Sequence, residues 1–411
     1  MRTFCAEREA STADAIAYAQ LFIKSSSLSL EVRSVGRRVI TTECRLVAPG
    51  GFSTVGRGKG VGQQSLASAL FEALEHFYYE IEVKPIFAES FDPFSSRHNA
   101  AYAHASPDMS LFFSSGPAPL SVLRFKGIGI DDELIFPAIL TDPKFRAPSA
   151  QENTFILQSG IYKYSSNSGT ASGISRAEAT LHGVLELIER DALGLAFVTS
   201  TLRRDPLPLR RFRPGTFPDE LRSLQAEIES ESGGAITTWD IACDTGIPVA
   251  LCRLTIGRNS FFGSGASLRA SYAVERAMLE ALQVYHIQER FGPWLQMAKP
   301  CDPDRASLFQ RCNLEGGVFL YRGGEIDVSF REEACVRNQN LEDQLRHIVV
   351  SLEAADVKVY ARDIFADGLA VVQVVSPTLE RCHLLSHGLP VAPGFRAKSV
   401  ANRPKVGVWK H

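Results

Sequence analysis

The sequence has no CxxC pair and no cysteine–histidine cluster at ligand spacing, although it holds eight cysteines. That excludes the common structural zinc sites and leads us to expect a reduced, cytoplasmic chain. It has no apolar run of membrane-spanning length. Its first residues, MRTFCAEREASTADA, lack the apolar centre of a secretory signal. Neither sign of charge dominates: 44 Lys and Arg against 46 Asp and Glu leave a formal net charge of −2. The basic residues form no block, so neither nucleic acid nor an anionic membrane is an expected partner. The phosphate-loop pattern GxxxxGK[ST] is missing as well.

What remains is an ordinary globular composition. The 411 residues are 45% hydrophobic and include 25 phenylalanines, enough for a substantial core. No linker stands out, so one composite domain over 1–411 is expected. It reads as an N-terminal portion (1–150), a central portion (151–290) and a C-terminal portion with a tail (291–411). Helices are expected at Thr12–Phe22, Ser65–Glu80, Leu221–Glu229 and up to about Glu289. Leu28–Val47 alternates like a hairpin. Further strands are expected at Val122–Lys126, Ile135–Leu140, Ala235–Trp239, Pro248–Thr255, Asn259–Phe262, Asp356–Asp363 and Leu369–Val375. The stretch 290–345 reads as an insertion or lid. The mixture is an α/β (α+β) pattern.

The most informative stretch is SRAEATLHGVLELIERDA, residues 175–192. It has the apolar content of a buried helix, yet it carries Glu178, Glu186, Glu189 and Asp191. Glu178, His182, Glu186 and Glu189 fall on one helix face. Two other segments repeat its theme: ALFEALEHF with Glu72 and Glu75, and AMLEALQVY with Glu280 and Gln283. Each helix follows a glycine- and serine-rich segment, read here as a loop: 51–64, 162–174 and 263–269. One ExxE pair is usually a solvated helix face. Three such apolar helices, two with ExxE and one with ExxQ, imply buried carboxylates, which repel one another and lose hydration.

These helices contain few cations of their own. A hard cation suits such carboxylates, and magnesium brings phosphates with it. Glycine loops before helices let backbone N–H groups meet an anion. Lys59 in GRGKG reads as a phosphate contact or a surface lysine. Ser166, Asn167 and Ser168 add short donors. Arg190 is a helix-end surface charge or a nucleotide contact. His182 reads as a hydrogen-bonding helix residue rather than a ligand.

The motifs resemble those of the YcaO family. SNSGTASGISRAEATLHGVLELIERDA is similar to its SNG-x-A-x-G loop and ExxERDA helix, with Ser168 at or beside the usual glycine position. GKGVGQQSLASALFEALEHF and RASYAVERAMLEALQ resemble its first and third motifs. The resemblance implies a YcaO-type ATP-binding fold, with helix-borne carboxylates beside mixed or antiparallel sheets. It implies ATP and Mg2+ as cofactors, with 151–290 as the main binding portion. Glu72, Glu75, Glu178, Glu186 and Glu189 would face metal, Glu189 also acting in catalysis. Lys59, Ser166, Asn167, Arg190, Glu280 and Gln283 would contact nucleotide or phosphates.

The implied reaction is ATP-dependent activation of a peptide backbone amide. An internal Cys, Ser or Thr nucleophile gives a thiazoline or oxazoline; external sulfide gives a thioamide. VYARDIFADGLAVVQVVSP resembles the same region of the stand-alone cyclodehydratase subunits of azole-forming synthetases, such as that for microcin B17. Cyclodehydration of a ribosomally made precursor peptide is therefore the leading expectation, with thioamide or amidine formation, or a scaffold role, as alternatives. The implied partners are a separate E1-like or peptide-clamp protein and an FMN-dependent dehydrogenase, in a homodimer or hetero-oligomer. The ending NRPKVGVWKH departs from a PxPxP tail, and His411 is the candidate there for a terminal catalytic group.

Overall fold

The computed structural model describes residues 7–95, 99–290, 310–332 and 340–402. Much of the expected insertion, and His411, lie outside the described residues. Helix α1 (Thr12–Ser25) begins at Ser11, whose hydroxyl accepts from the Asp14 N–H. Strands β1 (Ser29–Val35), β2 (Val39–Val47) and β3 (Ser53–Val61) form an antiparallel meander, and helix α2 (Gln64–Glu82) lies against it.

Next in the chain come β4 (Ile86–Phe91), the single turn α3 (Asn99–Tyr102), β5 (Ala118–Gly127), β6 (Glu133–Pro137) and α4 (Ala150–Ser159). Strand β7 (Thr170–Gly173) leads into the long helix α5 (Arg176–Phe197). A strand–helix–hairpin stretch follows: β8 (Leu209–Phe212), α6 (Asp219–Ser232), β9 (Ala235–Asp240), β10 (Val249–Ile256) and β11 (Asn259–Ala266). Helix α7 (Ala270–Arg290), β12 (Glu325–Val328), α8 (Leu341–Ala354), β13 (Tyr360–Asp367), β14 (Leu369–Val375) and α9 (Phe395–Asn402) complete it.

The second sheet runs β4-β5-β13-β14-β7, with β6 beside β5. The third runs β11-β10-β9-β8-β12, antiparallel except for the β8–β12 pair. The α+β expectation, with mixed and antiparallel sheets, therefore holds. The expected hairpins pair as read, Ser29 opposite Val47 and Tyr360 opposite Val375. Helix α8 begins in the stretch expected as an insertion; Leu341, Leu345, Ile348 and Leu352 give it a buried face.

The glycine-rich segments require a correction. Two of the three expected loops are strands. Glycines 56, 58 and 60 alternate along β3, so all three face α2. A methyl at Gly58 would stand 2.0 Å from the Ser65 carbonyl oxygen, and one at Gly56 2.2 Å from the Ala73 nitrogen. In β11 the same device recurs: a methyl at Gly263 would lie 2.3 Å from the Ala281 nitrogen. These glycines let a helix lie directly on a strand backbone. Only the segment before β7 keeps a loop, where Gly169 has φ +88°.

Three apolar clusters support this arrangement. The largest joins α5 and the second sheet, a second joins α6 and α7 to β10, and a third joins α1 and α2 to β2. No helix among the described residues is long and apolar enough to cross a membrane. The five described cysteines are buried and unpaired.

Candidate functional site

Strand periodicity determines what faces the opposite side of β3. With its glycines turned to α2, Arg57, Lys59 and Val61 line a cavity of about 1780 Å3. Helix periodicity does the same for α2, α5 and α7. Glu72 and Glu75 come from the first helix, Glu178, His182, Glu186 and Glu189 from the second, and Arg276, Glu280 and Gln283 from the third. The three repeated motifs thus converge on one space, and Asn167 lines it too.

The carboxylates are not equivalent. Glu189 is buried and held: it accepts from Ser264 Oγ at 2.6 Å and the Ala266 N–H at 3.2 Å. Glu178 accepts from Arg8 Nη1 at 3.1 Å and the Ile174 N–H at 3.1 Å. Glu280 meets the Lys59 ammonium at 2.7 Å. Burial alone would raise its pKa, but Lys59 and Arg190 outweigh burial and hold it below the ordinary value. Glu186 accepts from the Gly169 N–H at 3.2 Å, with Arg190 Nη2 at 3.7 Å. Burial still pushes its pKa up.

Glu72 and Glu75 have no ion-pair partner among the described residues. Burial raises both pKa values. For Glu75 the Glu72 and Glu186 charges add to the rise.

The few cations of the helices themselves are supplemented from other segments. Arg8, Lys59, Arg190 and Arg276 each face a carboxylate, the last at 4.0 Å from Glu189. What keeps no ion pair among the described residues is narrower: Glu72 and Glu75, with Glu186 beside them; His76 and Lys59 offset part of the effect of burial on Glu72. Conversely, the buried Nε atoms of Arg190 and Arg276 make no hydrogen bond. A half-buried anionic cluster and unspent guanidinium donors on one cavity wall suit a cation with a polyanion. No three His, Cys, Asp or Glu side chains among the described residues form a ready-made metal cage. Magnesium does not need one, because it keeps several waters and takes few carboxylates when phosphates complete its shell.

Two other expectations change. Ser166 does not reach the large cavity; its hydroxyl pairs with Ser168 Oγ at 2.8 Å, beside a small cavity behind Arg190. Asp191, the fourth acidic residue of the α5 motif, faces the opposite way. It is fully buried and binds Arg396 Nη2 at 2.9 Å and the Glu380 N–H at 2.8 Å, which ties α9 to α5. Gln283 spends a donor on the Arg57 carbonyl at 3.1 Å. His182 lies 3.3 Å from the Glu7 carbonyl, and burial first, then Arg8 and Arg276, push its pKa well down. It is a neutral hydrogen-bonding residue, as its sequence suggested. Sequence reading missed Arg8, which lies far from the motifs, and the donor role of Arg276, one helical turn before Glu280.

A family model described as YcaO cyclodehydratase, ATP- and Mg2+-binding, matches residues 57–380. An uncharacterized protein of Methanothermobacter thermautotrophicus is 26% identical over 355 residues, covering 82% of this chain and 84% of its own. A local match, 35% identical over 95 residues, joins 23% of this chain to 22% of an uncharacterized protein in the tfuA 3′ region of Rhizobium leguminosarum bv. trifolii. Among solved structures, YcaO from Methanopyrus kandleri bound with AMPPCP and Mg2+ has a TM-score of 0.66 at 17% identity, with 98% of each chain covered. The Escherichia coli microcin synthetase McbBCD complex has a TM-score of 0.54 at 14% identity, covering 85% of this chain and 87% of that one. At these identities the structural likeness concerns the fold.

Proposed function

The chain belongs to the YcaO family and is an ATP- and Mg2+-dependent enzyme of it, and we propose that it activates a backbone amide of a peptide so that sulfide replaces oxygen, giving a thioamide. The observation that carries the amide-activating reading is that Glu72, Glu75 and Glu186 line the same cavity as Arg190 and Arg276, whose Nε donors are unspent. The cavity of about 1780 Å3 also exceeds the roughly 300–1,000 Å3 usual for a small-molecule site, which leaves room for a peptide segment beside a nucleotide. The relative in the tfuA 3′ region favours the thioamide branch. Azoline formation is the second reading, supported by the cyclodehydratase description of the family model.

ATP with Mg2+ supplies, when bound, the phosphoryl group that makes the amide oxygen a competent leaving group. The chain's own residues do the rest. Glu72, Glu75 and Glu186 would hold the cations. Glu189, fixed by Ser264 and Ala266, lines the same cavity in one orientation. Arg190 and Arg276 would orient phosphate oxygens through their free N–H groups. Lys59 and Glu280 join β3 to α7 on the cavity lining, so that neither charge faces the cavity alone. Asn167 offers an amide at the start of the loop. A tfuA product is the partner assigned first. The E1-like clamp and the FMN-dependent dehydrogenase belong to the azoline reading.

The test is intact-mass spectrometry of the peptide encoded beside the gene, incubated with this protein, the adjacent partner proteins, Mg2+, ATP and sodium sulfide. A gain equal to sulfur replacing oxygen supports the thioamide reading. Loss of one water per site supports azoline formation instead. An unchanged mass, with ATP bound and all partners present, overturns both.

A further inference from the structure

Neither reading supplies a group to take the nucleophile's proton. The carboxylates around Glu72 would hold cations, the arginines are permanently charged, and Lys59 is spent on Glu280. Three histidines line the cavity: His76, His182 and His387. His182 is buried and tied to the Glu7 carbonyl. His76 lies 2.7 Å from the Val55 carbonyl and next to the uncompensated Glu75. His387 differs from both. Its Nδ1 stands 2.9 Å from Glu315 Oε1, and Glu315 lines the same cavity.

The backbone holds the two residues in place, although the side chains are open to solvent at 41% and 43%. Glu315 sits in a tight turn where Gly317 donates to the Leu314 carbonyl. Gln288, near the end of α7, donates to the Glu315 carbonyl at 3.2 Å. His387 ends a short 3-10 turn (Cys382–His387) packed on α5, and Gly388 stops that turn with φ +74°. The pair therefore spans the far ends of the two helices that carry Glu186 and Glu280. Among the described residues Nε2 of His387 makes no hydrogen bond. A carboxylate 2.9 Å from one ring nitrogen, with no described partner on the other, fits a general base that the carboxylate can orient.

We propose that His387, oriented by Glu315, is the catalytic base of the amide-modifying reaction. The inference rests on the peptide reading above. The S–H or O–H proton of the nucleophile passes to Nε2. The electron pair of that bond stays on sulfur or oxygen and enters the new bond to the amide carbon, while the C=O π pair moves onto the amide oxygen, the atom that ATP phosphorylates and that departs as phosphate. The imidazolium so formed faces the Glu315 carboxylate, which stabilises its charge, and then releases the proton to water.

The experiment uses the full chain with its adjacent partner proteins and the peptide encoded beside the gene. Turnover is followed by intact mass at saturating ATP with sodium sulfide present. His387→Ala is expected to lower maximal turnover by about 100-fold or more, to leave KM for ATP unchanged, and to recover with added imidazole. Glu315→Gln is expected to give a smaller loss. Nitrogen-15 NMR of the ring is expected to place the proton on Nδ1 in the wild type. Wild-type turnover in His387→Ala overturns the base assignment and leaves the peptide reading standing. A loss that imidazole does not restore, or a ring proton found on Nε2, also overturns it. A wild-type protein that leaves the peptide unchanged overturns the peptide reading, and the base with it.

Discussion

The Lys59 ammonium on β3 stands 2.7 Å from Glu280 on α7, so one ion pair links the first sheet to the third motif helix. Both side chains are about three-quarters shielded from solvent, which makes the pair worth more than a surface contact. Lys59→Met is expected to cost about 2 kcal/mol in urea unfolding at neutral pH. The pH dependence follows from the lowered Glu280 pKa. Its contribution is fully present above the unfolded-state value and disappears as pH falls through the lower folded value. The variant is expected to lose stability less steeply on acidification than the wild type.

Glu72, Glu75 and Glu186 have the opposite sign. Their folded-state pKa values are raised, so the folded state binds their protons more readily. That advantage is present at low pH and is lost as pH rises from the ordinary carboxylate value through the raised ones. In chelator, melting temperature is expected to fall as pH climbs across that window. Magnesium with ATP is expected to flatten the slope. An identical slope with and without magnesium would contradict the assignment of these residues to the cation.

Glu75→Gln separates stability from function. It removes a charge that Glu72 and Glu186 repel. The chelated variant is expected to be roughly 1 kcal/mol more stable than wild type at neutral pH. Calorimetric titration is expected to show loss of magnesium-dependent nucleotide binding in the same variant. A variant that is less stable in chelator, or that still binds normally, would show that this carboxylate is structural.

Gly58→Ala tests the strand–helix contact. The added methyl meets backbone atoms, 2.0 Å from the Ser65 oxygen and 2.3 Å from the Ala69 nitrogen, and backbone yields little. Thermal unfolding is expected to show a loss of about 3 kcal/mol. Gly50→Ala, with no atom within 4 Å of its methyl, is the control and is expected to change little.

Arg396→Met leaves Asp191 buried without its cation. Breaking a buried pair from one side costs about 3–5 kcal/mol, and chemical denaturation would measure it. Asp191→Asn in the same chain is expected to recover part of the loss, because the Glu380 N–H still needs an acceptor there.

Much of the site was legible because helix and strand periods are local properties. Glu72, Glu75, Glu186, Glu189 and Glu280 recur at spacings that place each group on one helix face, and all line the cavity. The hairpins β1–β2 and β13–β14 were legible for the same reason, from alternation and a turn between. Ser166 was misplaced because adjacent residues in a loop diverge, and only the loop's path decides which one faces the cavity. Helix α4 was missed because its apolar face is weak: only Glu152 and Ile156 are buried in it.

The amino-acid order alone determined that three helices would carry a Glu-x-x-Glu or Glu-x-x-Gln pair on apolar faces, since side-chain direction follows from the helical period. It also determined that this charge needs compensation, since hydration is lost wherever such helices pack. Only the tertiary structure decided which acids are compensated from within. Arg8 and Lys59 come from segments 170 and 221 residues away from Glu178 and Glu280, and no local pattern encodes such pairings. The same holds for the glycines. Their alternation is visible in the sequence, but a phosphate loop and a strand under a helix need the same absent side chain. Packing of α2 onto β3 is what separates the two.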